Sequence, residues 1–322
     1  MKKTVMTILV LMIAAFATGC SEKASEKPAE PVVFKFMEGV TAITAGSMIS
    51  EKPEMGRDVE YEIISSPDLL ASSIIQGEAD MAIVPTNLAA QARAKGADYV
   101  IAGTATWGNL YIVGTEAMES LDGLKGKTVQ TFGKGLTPEL VLNMVLAEEG
   151  IDPEVDMDLE YMNSAAEVAP LLVSGKTSIG LLPEPALSSA LAKNKDLKVL
   201  FDINKLWAEA NKVEKGYPQS CLVVKKELVE EDPEFVEKFL EEYSKSIEWA
   251  LENPEELGTI SEEHSLGPDS ESIVNGIGRM NIGQFSVGES LSEYRAYYKS
   301  VMDFDPEFIG GSIPDEEIYY ER

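Results

Sequence analysis

A glycine-containing loop that leads into a predicted helix is the segment of this chain best suited to hold a ligand. Residues 127–132 form a β-rich run, Gly133-Lys-Gly135 follows it, and Thr137-Pro138 has the composition of a helix start. A threonine hydroxyl can cap the first free N–H groups, and proline fits the first helical turn. Exposed N–H groups and the positive end of a helix dipole attract small polar or anionic ligands. The loop lacks the Gly-Lys-Ser/Thr of a P-loop and the third glycine of a dinucleotide fingerprint, so it does not indicate a nucleotide site.

Polar residues follow several other predicted strands in the same way. In open α/β sheets, ligands bind beyond the carboxyl ends of the strands. We therefore expect the ligand-binding residues among those at strand ends and helix starts. The candidates are Thr41, Thr44, Ser66, Thr86, Asn87, Trp107, Asn109, Gly135, Thr137 and Glu184. Each of them could instead serve the fold alone as a cap or a turn, and Trp107 could either stack on a ring-shaped ligand or pack at a hinge.

The elements that position these residues alternate between strand and helix along the chain. Runs rich in β-formers begin near residues 32, 59, 81, 99, 110, 127, 157, 178, 197 and 220, and most of them precede a helical pattern. This alternation predicts an α/β fold with two lobes, each a mostly parallel sheet flanked by helices. Strand-like borders at residues 110–113 and 221–224 predict two hinge crossings. Lobe 1 is expected to be discontinuous, with residues 32–116 and 217–322, and lobe 2 to contain residues 117–216.

The first 31 residues read as an export signal followed by a tether. Two lysines precede an apolar run that is too short to span a bilayer comfortably, and residues 1–19 are therefore predicted to be a signal peptide. Ala17-Thr-Gly-Cys20 resembles the lipobox of bacterial lipoproteins, in which the cysteine is acylated, although leucine is usual where this chain has Ala17. Ordinary signal-peptidase cleavage is the alternative. Residues 20–31 then form a polar tether, and the protein is expected to be extracytoplasmic and held to the membrane by a lipid on Cys20.

The composition excludes several other classes of protein. The formal charge of −28 over 322 residues repels nucleic acid and gives no electrostatic footprint for binding it. With Cys20 acylated, Cys221 is the one remaining cysteine, and the apolar run around it predicts a buried, unreactive thiol. The single histidine, His264, lies in a Glu/Ser-rich segment and is expected at the surface. The sequence shows no Ser/His/Asp set and no metal-ligand spacing, so we predict no enzyme activity, no metal and no cofactor.

Three phrases of the sequence resemble a known family. They are Gly77-Glu-Ala-Asp80-Met-Ala-Ile-Val-Pro85, Leu121-Asp-Gly-Leu-Lys-Gly-Lys127-Thr-Val and Asp232-Pro-Glu-Phe-Val-Glu-Lys-Phe239. In this order they resemble bacterial extracytoplasmic solute-binding proteins with the type II periplasmic-binding-protein fold, in particular the nitrate/sulfonate/taurine and thiamine-precursor group. The resemblance implies a monomeric receptor that delivers a small solute to the permease of an ABC importer and closes about a hinge when loaded.

The charges near the predicted strand ends suggest which solute is bound. No arginine lies in the strand-end loops of residues 33–190, since Arg57 and Arg93 fall elsewhere, and a sulfonate or carboxylate clamp normally uses arginine. Glu184 is expected to face the cleft and to repel an anion, while Arg279 could reach the cleft from the C-terminal part or lie at the surface. We therefore favour a neutral, aromatic or weakly cationic solute, such as a pyrimidine-type vitamin precursor, over a small anion such as a sulfonate or nitrate.

Two further alternatives share this architecture. A sensory lipoprotein would bind a solute and pass a signal to another protein, and the sequence does not distinguish it from an importer receptor. An enzyme on the same fold is the other alternative, because chorismate dehydratases and thiamine-pyrimidine synthases resemble these receptors. The dehydratases are normally cytoplasmic, and the synthases need an active-site histidine and a cysteine-rich iron motif that this chain lacks.

Overall fold

The structure, a computed structural model, describes residues 30–283 and 285–320. The predicted signal peptide, Cys20 and the tether up to residue 29 lie outside the described residues. Residues Pro31–Arg322 make their contacts as one compact unit. Within the described ranges, no helix has both the length and the apolar character needed to cross a bilayer.

Ten strands in the described part of the chain form two five-stranded sheets. The strands are β1 (Val32–Met37), β2 (Val59–Ile64), β3 (Met81–Pro85), β4 (Tyr99–Trp107), β5 (Leu110–Gly114), β6 (Thr128–Phe132), β7 (Asp158–Met162), β8 (Ile179–Pro183), β9 (Lys198–Asp202) and β10 (Pro218–Lys225). The first sheet has the order β2-β1-β3-β10-β4 and the second has the order β7-β6-β8-β5-β9. Each run of β-formers identified in the sequence corresponds to one of these strands.

The two sheets have the same topology. In the first sheet β10 runs antiparallel to β3 and β4, and in the second sheet β5 runs antiparallel to β8 and β9, while the other pairings are parallel. Four strands of each sheet therefore run in one direction, and the opposing strand occupies the fourth position in both. This confirms the predicted α/β fold with mostly parallel sheets.

The opposing strands are also the places where the chain changes sheets. Only Gly108 and Asn109 separate β4 in the first sheet from β5 in the second, and β10 brings the chain back to the first sheet. The predicted boundary after residue 116 therefore lies beyond the change of sheet, because β5 already pairs with β8 and β9. The division into two lobes that move against each other stays a prediction.

Thirteen α-helices flank the sheets in the described residues. They are α1 (Val40–Ile43), α2 (Gly46–Glu51), α3 (Pro67–Ile75), α4 (Thr86–Ala94), α5 (Thr137–Glu148), α6 (Ala165–Val173), α7 (Ala186–Lys193), α8 (Ile203–Asn211), α9 (Lys226–Glu231), α10 (Pro233–Glu252), α11 (Pro254–Glu263), α12 (Ser270–Gly276) and α13 (Leu291–Phe304). The small-residue-rich run of residues 41–49 predicts one short helix, and the structure divides this stretch into α1 and α2. The helices α8, α9, α11 and α12 were not predicted from the sequence, because they are short or rich in charged residues.

The long helix α10 shows how the sequence forms and places these elements. The Asp232 carboxylate accepts a hydrogen bond from the Phe235 N–H at 3.2 Å, and Pro233 occupies the first helical turn. Its apolar stripe packs on the first sheet, where the ring of Phe239 meets the ring of Phe34 edge-on, with 5.1 Å between the centroids. Burial of these rings fixes the helix against the sheet.

Three hydrophobic clusters hold the described residues together. One fills the face of the first sheet beneath α10 and α11. A second fills the opposite face of that sheet and continues through α13 to α5 and α8 of the second sheet. A third, smaller cluster lies between the second sheet and the helices α6 and α7. The sheets are thus connected by a continuous core as well as by the two chain crossings.

Candidate ligand-binding cleft

A cavity of 260 Å³ lies where the carboxyl ends of strands from both sheets meet. The first sheet contributes Met37 and Pro85, which end β1 and β3, and the second contributes Phe132 and Pro183, which end β6 and β8. The full lining is Met37, Thr41, Ile83, Val84, Pro85, Asn109, Leu110, Phe132, Thr137, Pro138, Pro183, Gln219 and Ser220. A ligand in this cavity would therefore contact both sheets at once.

The two chain crossings form one wall of the cavity and are tied to each other. The Gly108 N–H donates to the Tyr217 carbonyl at 3.1 Å, and the Asn109 N–H donates to Oε1 of Gln219 at 3.4 Å. A Cβ atom at Gly108 would lie 2.2 Å from the Tyr217 ring, so the crossings can approach this closely only with glycine there. The backbone of the crossings is thereby fixed next to the ligand space.

A third segment from the C-terminal part of the chain fastens the crossings. The Trp107 N–H donates to the Asn281 carbonyl at 2.9 Å, and the Asn281 side-chain amide donates to the Gly108 carbonyl. The Trp107 indole N–H donates to the Gly283 carbonyl at 3.0 Å. Trp107 is 5% exposed and is absent from the cavity lining, so its ring packs at the crossing and does not reach the ligand space.

Polar groups on the cavity wall remain available to a ligand. Asn109 is 3% exposed and lines the cavity, so its side-chain amide lies next to the ligand space. Oε1 of Gln219 already accepts from the Asn109 N–H and the Tyr217 hydroxyl, which leaves its NH₂ group as a donor. Burial raises the pKa of the Tyr217 hydroxyl well above its usual value, so this donor keeps its proton. The Thr137 hydroxyl is a further group on the wall at the start of α5.

The residues that line the cavity carry no charged side chain among the described residues. Apolar contacts come from Met37, Phe132 and the prolines, and the polar contacts come from amides and hydroxyls. The positive end of the α5 dipole lies at the same place, because Thr137 and Pro138 begin that helix. The wall can therefore offer neutral hydrogen bonds, an aromatic ring and a weak positive potential.

The residues of the glycine loop before α5 are engaged in contacts with neighbouring elements of the protein. The Gly135 N–H donates to the Glu139 carboxylate at 2.5 Å, and the Lys134 ammonium lies 5.3 Å from the centroid of the Tyr161 ring. Gly133 and Gly135 have φ values of +72° and +73°, which glycine adopts without strain. The N–H of Gly135 is thus used inside the loop, and Gly135 is not part of the cavity wall.

Of the ten candidate residues, the structure brings three to the cavity wall and places seven elsewhere. Thr41, Asn109 and Thr137 line the cavity, whereas Thr44, Ser66, Thr86, Asn87, Trp107, Gly135 and Glu184 do not. Thr44 is buried and hydrogen-bonds the Tyr243 hydroxyl at 2.6 Å. Thr86 is fully buried, and Ser66 stands before α3 without a side-chain cap. Most of these seven residues therefore take part in packing or in hydrogen bonds within the fold and do not line the cavity.

Glu184 differs most from its expected position. Its side chain is fully buried, and Oε1 lies 2.6 Å from Nε of Arg279. Ser188 donates to the same carboxylate from its backbone N–H at 3.0 Å and from its hydroxyl at 2.9 Å. The expectation that Glu184 faces the cleft and repels anions is wrong, because the carboxylate is paired with Arg279 outside the cavity lining.

Several lining residues were missed by the sequence analysis. Met37, Pro85, Phe132 and Pro183 are the last residues of their strands, so the strand-end rule could have found them if it had been applied to apolar residues. Gln219 was missed for another reason. It lies near the start of β10, and only the antiparallel direction of that strand brings its first residues to the edge where the parallel strands end.

Three larger cavities lie away from the strand ends. One of 480 Å³ lies beside β4 and residues 285–291, one of 440 Å³ lies between α5, α8 and α13, and one of 350 Å³ lies between α6 and α7. None of them contacts both sets of strand ends, so size alone does not identify the site. Position at the carboxyl ends favours the 260 Å³ cavity.

Two mixed five-stranded sheets that share one topology and face a common gap define the type II periplasmic-binding-protein class. The chain belongs to the NMT1/THI5-like family, whose family model matches residues 53–257. It is 25% identical to an ABC transporter structure from Parabacteroides distasonis, with a TM-score of 0.77 over 91% of this chain and 99% of that one. Its fold is also similar to that of SsuA, the periplasmic aliphatic sulphonate binding protein of Escherichia coli, with 17% identity and a TM-score of 0.66 over 83% and 85% of the two chains.

One curated relative is similar in sequence over part of the chain. YtlA of Bacillus subtilis (strain 168) is 32% identical over 140 residues. This match spans 42% of the chain and 42% of the length of YtlA. The family and the structural neighbours together support a substrate-binding protein of an ABC-type transporter, and the two neighbours named above are transport proteins.

Proposed function

We propose that this protein captures a small neutral solute with an aromatic or heterocyclic ring, such as a pyrimidine-type vitamin precursor, and delivers it to the permease of an ABC importer. The observation that carries this proposal is the cavity wall, which combines the Phe132 ring, the amides of Asn109 and Gln219 and the Thr137 hydroxyl without any charged side chain. Amide groups can donate to and accept from the edge of a heterocycle, while the ring stacks on its face.

The charge distribution favours a neutral solute over an anion. Burying an anion is costly unless it is paired, and sulfonates and carboxylates are best paired with the two-pronged guanidinium of arginine. Arg279 is engaged with Glu184 and lies outside the lining. The α5 dipole alone is worth only about 0.3–1 kcal/mol to a negative charge. The cavity of 260 Å³ also suits a single ring, because pockets for drug-sized ligands begin at about 300 Å³.

Capture by closure of two lobes follows from the position of the cavity. A solute that contacts both sheets gains its full binding energy only when the two walls stand at their present distance, so binding favours the closed arrangement. The crossings at Gly108 and Tyr217 are the segments about which the walls would turn. We propose that residues 32–116 with 217–322 and residues 117–216 act as the two lobes, apart from β5, which lies within residues 32–116 but pairs with β8 and β9 of the second sheet.

The solute class is tested by native mass spectrometry of freshly purified protein, followed by a thermal-shift panel of pyrimidines, taurine and nitrate. We expect a neutral heterocycle to be released on denaturation and pyrimidines to raise the melting temperature. Thr137→Val should weaken that binding at least tenfold, whereas Thr86→Val, the same change at a buried residue outside the cavity, should leave it unchanged. Tight binding of taurine or nitrate with no response to pyrimidines would contradict the proposal.

A small anion remains the alternative solute, and the dipole of α5 at the cavity is the feature that favours it. A sensory role is the alternative to transport. It is distinguished by solute uptake in a strain that lacks the protein, because an importer receptor is needed for uptake and a sensor is not.

We also propose that the mature protein is monomeric, begins at Cys20 and is held on the outer side of the membrane by acylation of this residue. The motif Ala17-Thr-Gly-Cys20 supports the proposal. Cys20→Ser should release the protein from the membrane fraction, and its mass should lose the acyl increment. An unchanged membrane fraction would contradict lipid anchoring.

A further inference from the structure

The helix α12 and the turn after it connect the two sheets at a point separate from the chain crossings. On one side, Ile273, Met280 and Ile282 are buried in the cluster of the first sheet beneath α10 and α11. On the other side, the same segment packs against α7, which follows β8 of the second sheet. The segment therefore belongs to the first sheet by its core and contacts the second sheet by its polar face.

The polar face is built around Arg279. Its Nε donates to Oε1 of Glu184 at 2.6 Å, and its Nη2 donates to the Ser188 hydroxyl at 2.7 Å. The same Nη2 donates to the Asn275 carbonyl at 2.8 Å, which orients the guanidinium. The Glu184 side chain is fully buried and that of Arg279 is 35% exposed. A buried carboxylate without its partner is strongly unfavourable, so this contact resists separation.

The helices α12 and α7 also approach each other closely at this contact. A Cβ atom at Gly276 would lie 2.4 Å from the Ser188 hydroxyl oxygen and 3.0 Å from Oε2 of Glu184. Only a residue without a side chain fits between α12 and α7 at this distance. At Gly278, two residues further along the same segment, a Cβ atom would meet nothing within 4 Å. The need for glycine is thus specific to the point where the segment touches the second sheet.

The contact also reaches the cavity wall. Glu184 directly follows Pro183, which lines the cavity, and the Glu184 N–H donates to the Asn109 carbonyl at 3.2 Å. The Tyr111 hydroxyl donates to the carbonyl of Arg279 at 2.8 Å. Arg279 is therefore joined through Glu184 to the part of the cavity wall at the end of β8. It is joined through Tyr111 to β5.

We propose that Arg279 is a positioning residue for solute binding, and that its contact with Glu184 and Ser188 is a latch that holds the two cavity walls at the ligand-binding distance. The inference rests on the proposed function, since it assumes that the walls separate to admit the solute. Opening the cleft exposes Glu184 and Arg279 to water and removes the contact at Gly276. The latch thus slows release of the solute without touching it.

A pair of glycine substitutions tests the latch. Gly276→Ala should hold α12 away from α7, increase the radius of gyration of the solute-free protein in small-angle X-ray scattering, and speed the loss of co-purified solute on dialysis about tenfold. Gly278→Ala is the matched control and should change neither quantity. Thermal melting shows whether both variants are folded. A folded Gly276→Ala variant with the scattering and the solute loss of the wild type would overturn the proposal.

A disulfide between the same elements provides a second test, in which the contact is fixed closed by oxidation and compared with the same variant in its reduced form. The double variant Ser188→Cys with Gly276→Cys should form a disulfide when oxidised, and the oxidised protein should exchange solute far more slowly than the reduced protein. The wild type, which carries Cys20 and the buried Cys221, controls for oxidation itself. Equal exchange rates in the two states would show that the contact does not open, and the latch would be refuted.

The two proposals can fail separately. If no solute co-purifies and no panel compound binds, the proposed function fails, while the scattering of Gly276→Ala still tests whether the contact holds the sheets together. If pyrimidines bind but Gly276→Ala and the disulfide have no effect, the solute class stands and the latch does not.

Discussion

The first and second sheets have one topology but very different surroundings. β4 and β9 occupy the same terminal position, yet all nine residues of β4 are buried, whereas β9 carries two exposed residues and three half-buried ones. The difference arises because the helices α10 and α11, together with Ile282, Phe285 and Ser286, cover the first sheet. The second sheet is covered on its outer face by the small cluster with α6 and α7.

This contrast separates two roles of the fold. The shared topology supplies the site, because each sheet contributes two strand ends to the cavity and one antiparallel strand to the crossing. The unequal covering supplies stability, since burial of apolar surface is the main favourable term in folding. We therefore expect substitutions in the first sheet to affect the free energy of unfolding more than equivalent substitutions in the second.

The largest expected difference concerns two phenylalanines. Phe239 of α10 is fully buried on the first sheet, and Phe201 of β9 is half-buried in the second. Phe239→Ala should lower the free energy of unfolding by about 3–5 kcal/mol, and Phe201→Ala by about half as much, because less apolar surface is lost. Urea denaturation monitored by circular dichroism measures both values. Equal losses would contradict the unequal covering of the sheets.

A smaller difference is expected at two valines on the equivalent terminal strands. Val100 of β4 is 6% exposed and Val199 of β9 is 38% exposed. Val100→Ala should cost about 2 kcal/mol of unfolding free energy, and Val199→Ala about 1 kcal/mol or less. The same denaturation experiment applies, and the two variants remove identical atoms, so the difference reports burial alone. A larger loss at Val199 would reverse the comparison.

A third comparison concerns the reactivity of thiols in the two sheets. Its expected effect on stability is the smallest, but its expected effect on reaction rate is clear. Burial raises the pKa of the Cys221 thiol to about 12, and only the thiolate reacts readily. The thiolate forms as the pH rises through that value, so at pH 8 Cys221 should not react with a disulfide reagent until the protein unfolds. In protein with Cys20 replaced by serine, Val199→Cys should react within minutes under the same conditions. Rapid reaction of Cys221 would show that the first sheet opens in the folded protein.

Much of the fold could be predicted from the sequence because its elements carry local signals. All ten strands lie where runs of β-formers occur, and Asp232-Pro233 has the composition of a helix start and begins α10. The order of the strands within each sheet could not be read in this way, because it depends on pairings between distant segments. The predicted border after residue 116 shows the consequence, since β5 pairs with the second sheet.

The site was predicted less completely, and particular residues show why. Thr137 begins the helix after β6 and its glycine loop and was found, whereas Gln219 reaches the cavity only through the direction of β10. Glu184 was assigned to the cleft because its helix start resembles the others, but Arg279, 95 positions later in the chain, pairs with it. Sequence spacing does not reveal a partner at that distance.

The position of β5 in the second sheet has a consequence for attempts to divide this protein. A fragment cut at residues 117–216 would leave behind β5, the strand between β8 and β9, and would expose two unpaired strand edges that invite aggregation. The first half lends β5 to the second sheet, so residues 117–216 are not an autonomous module. Split reporters or domain transplants that follow this linear boundary would start from an incomplete sheet.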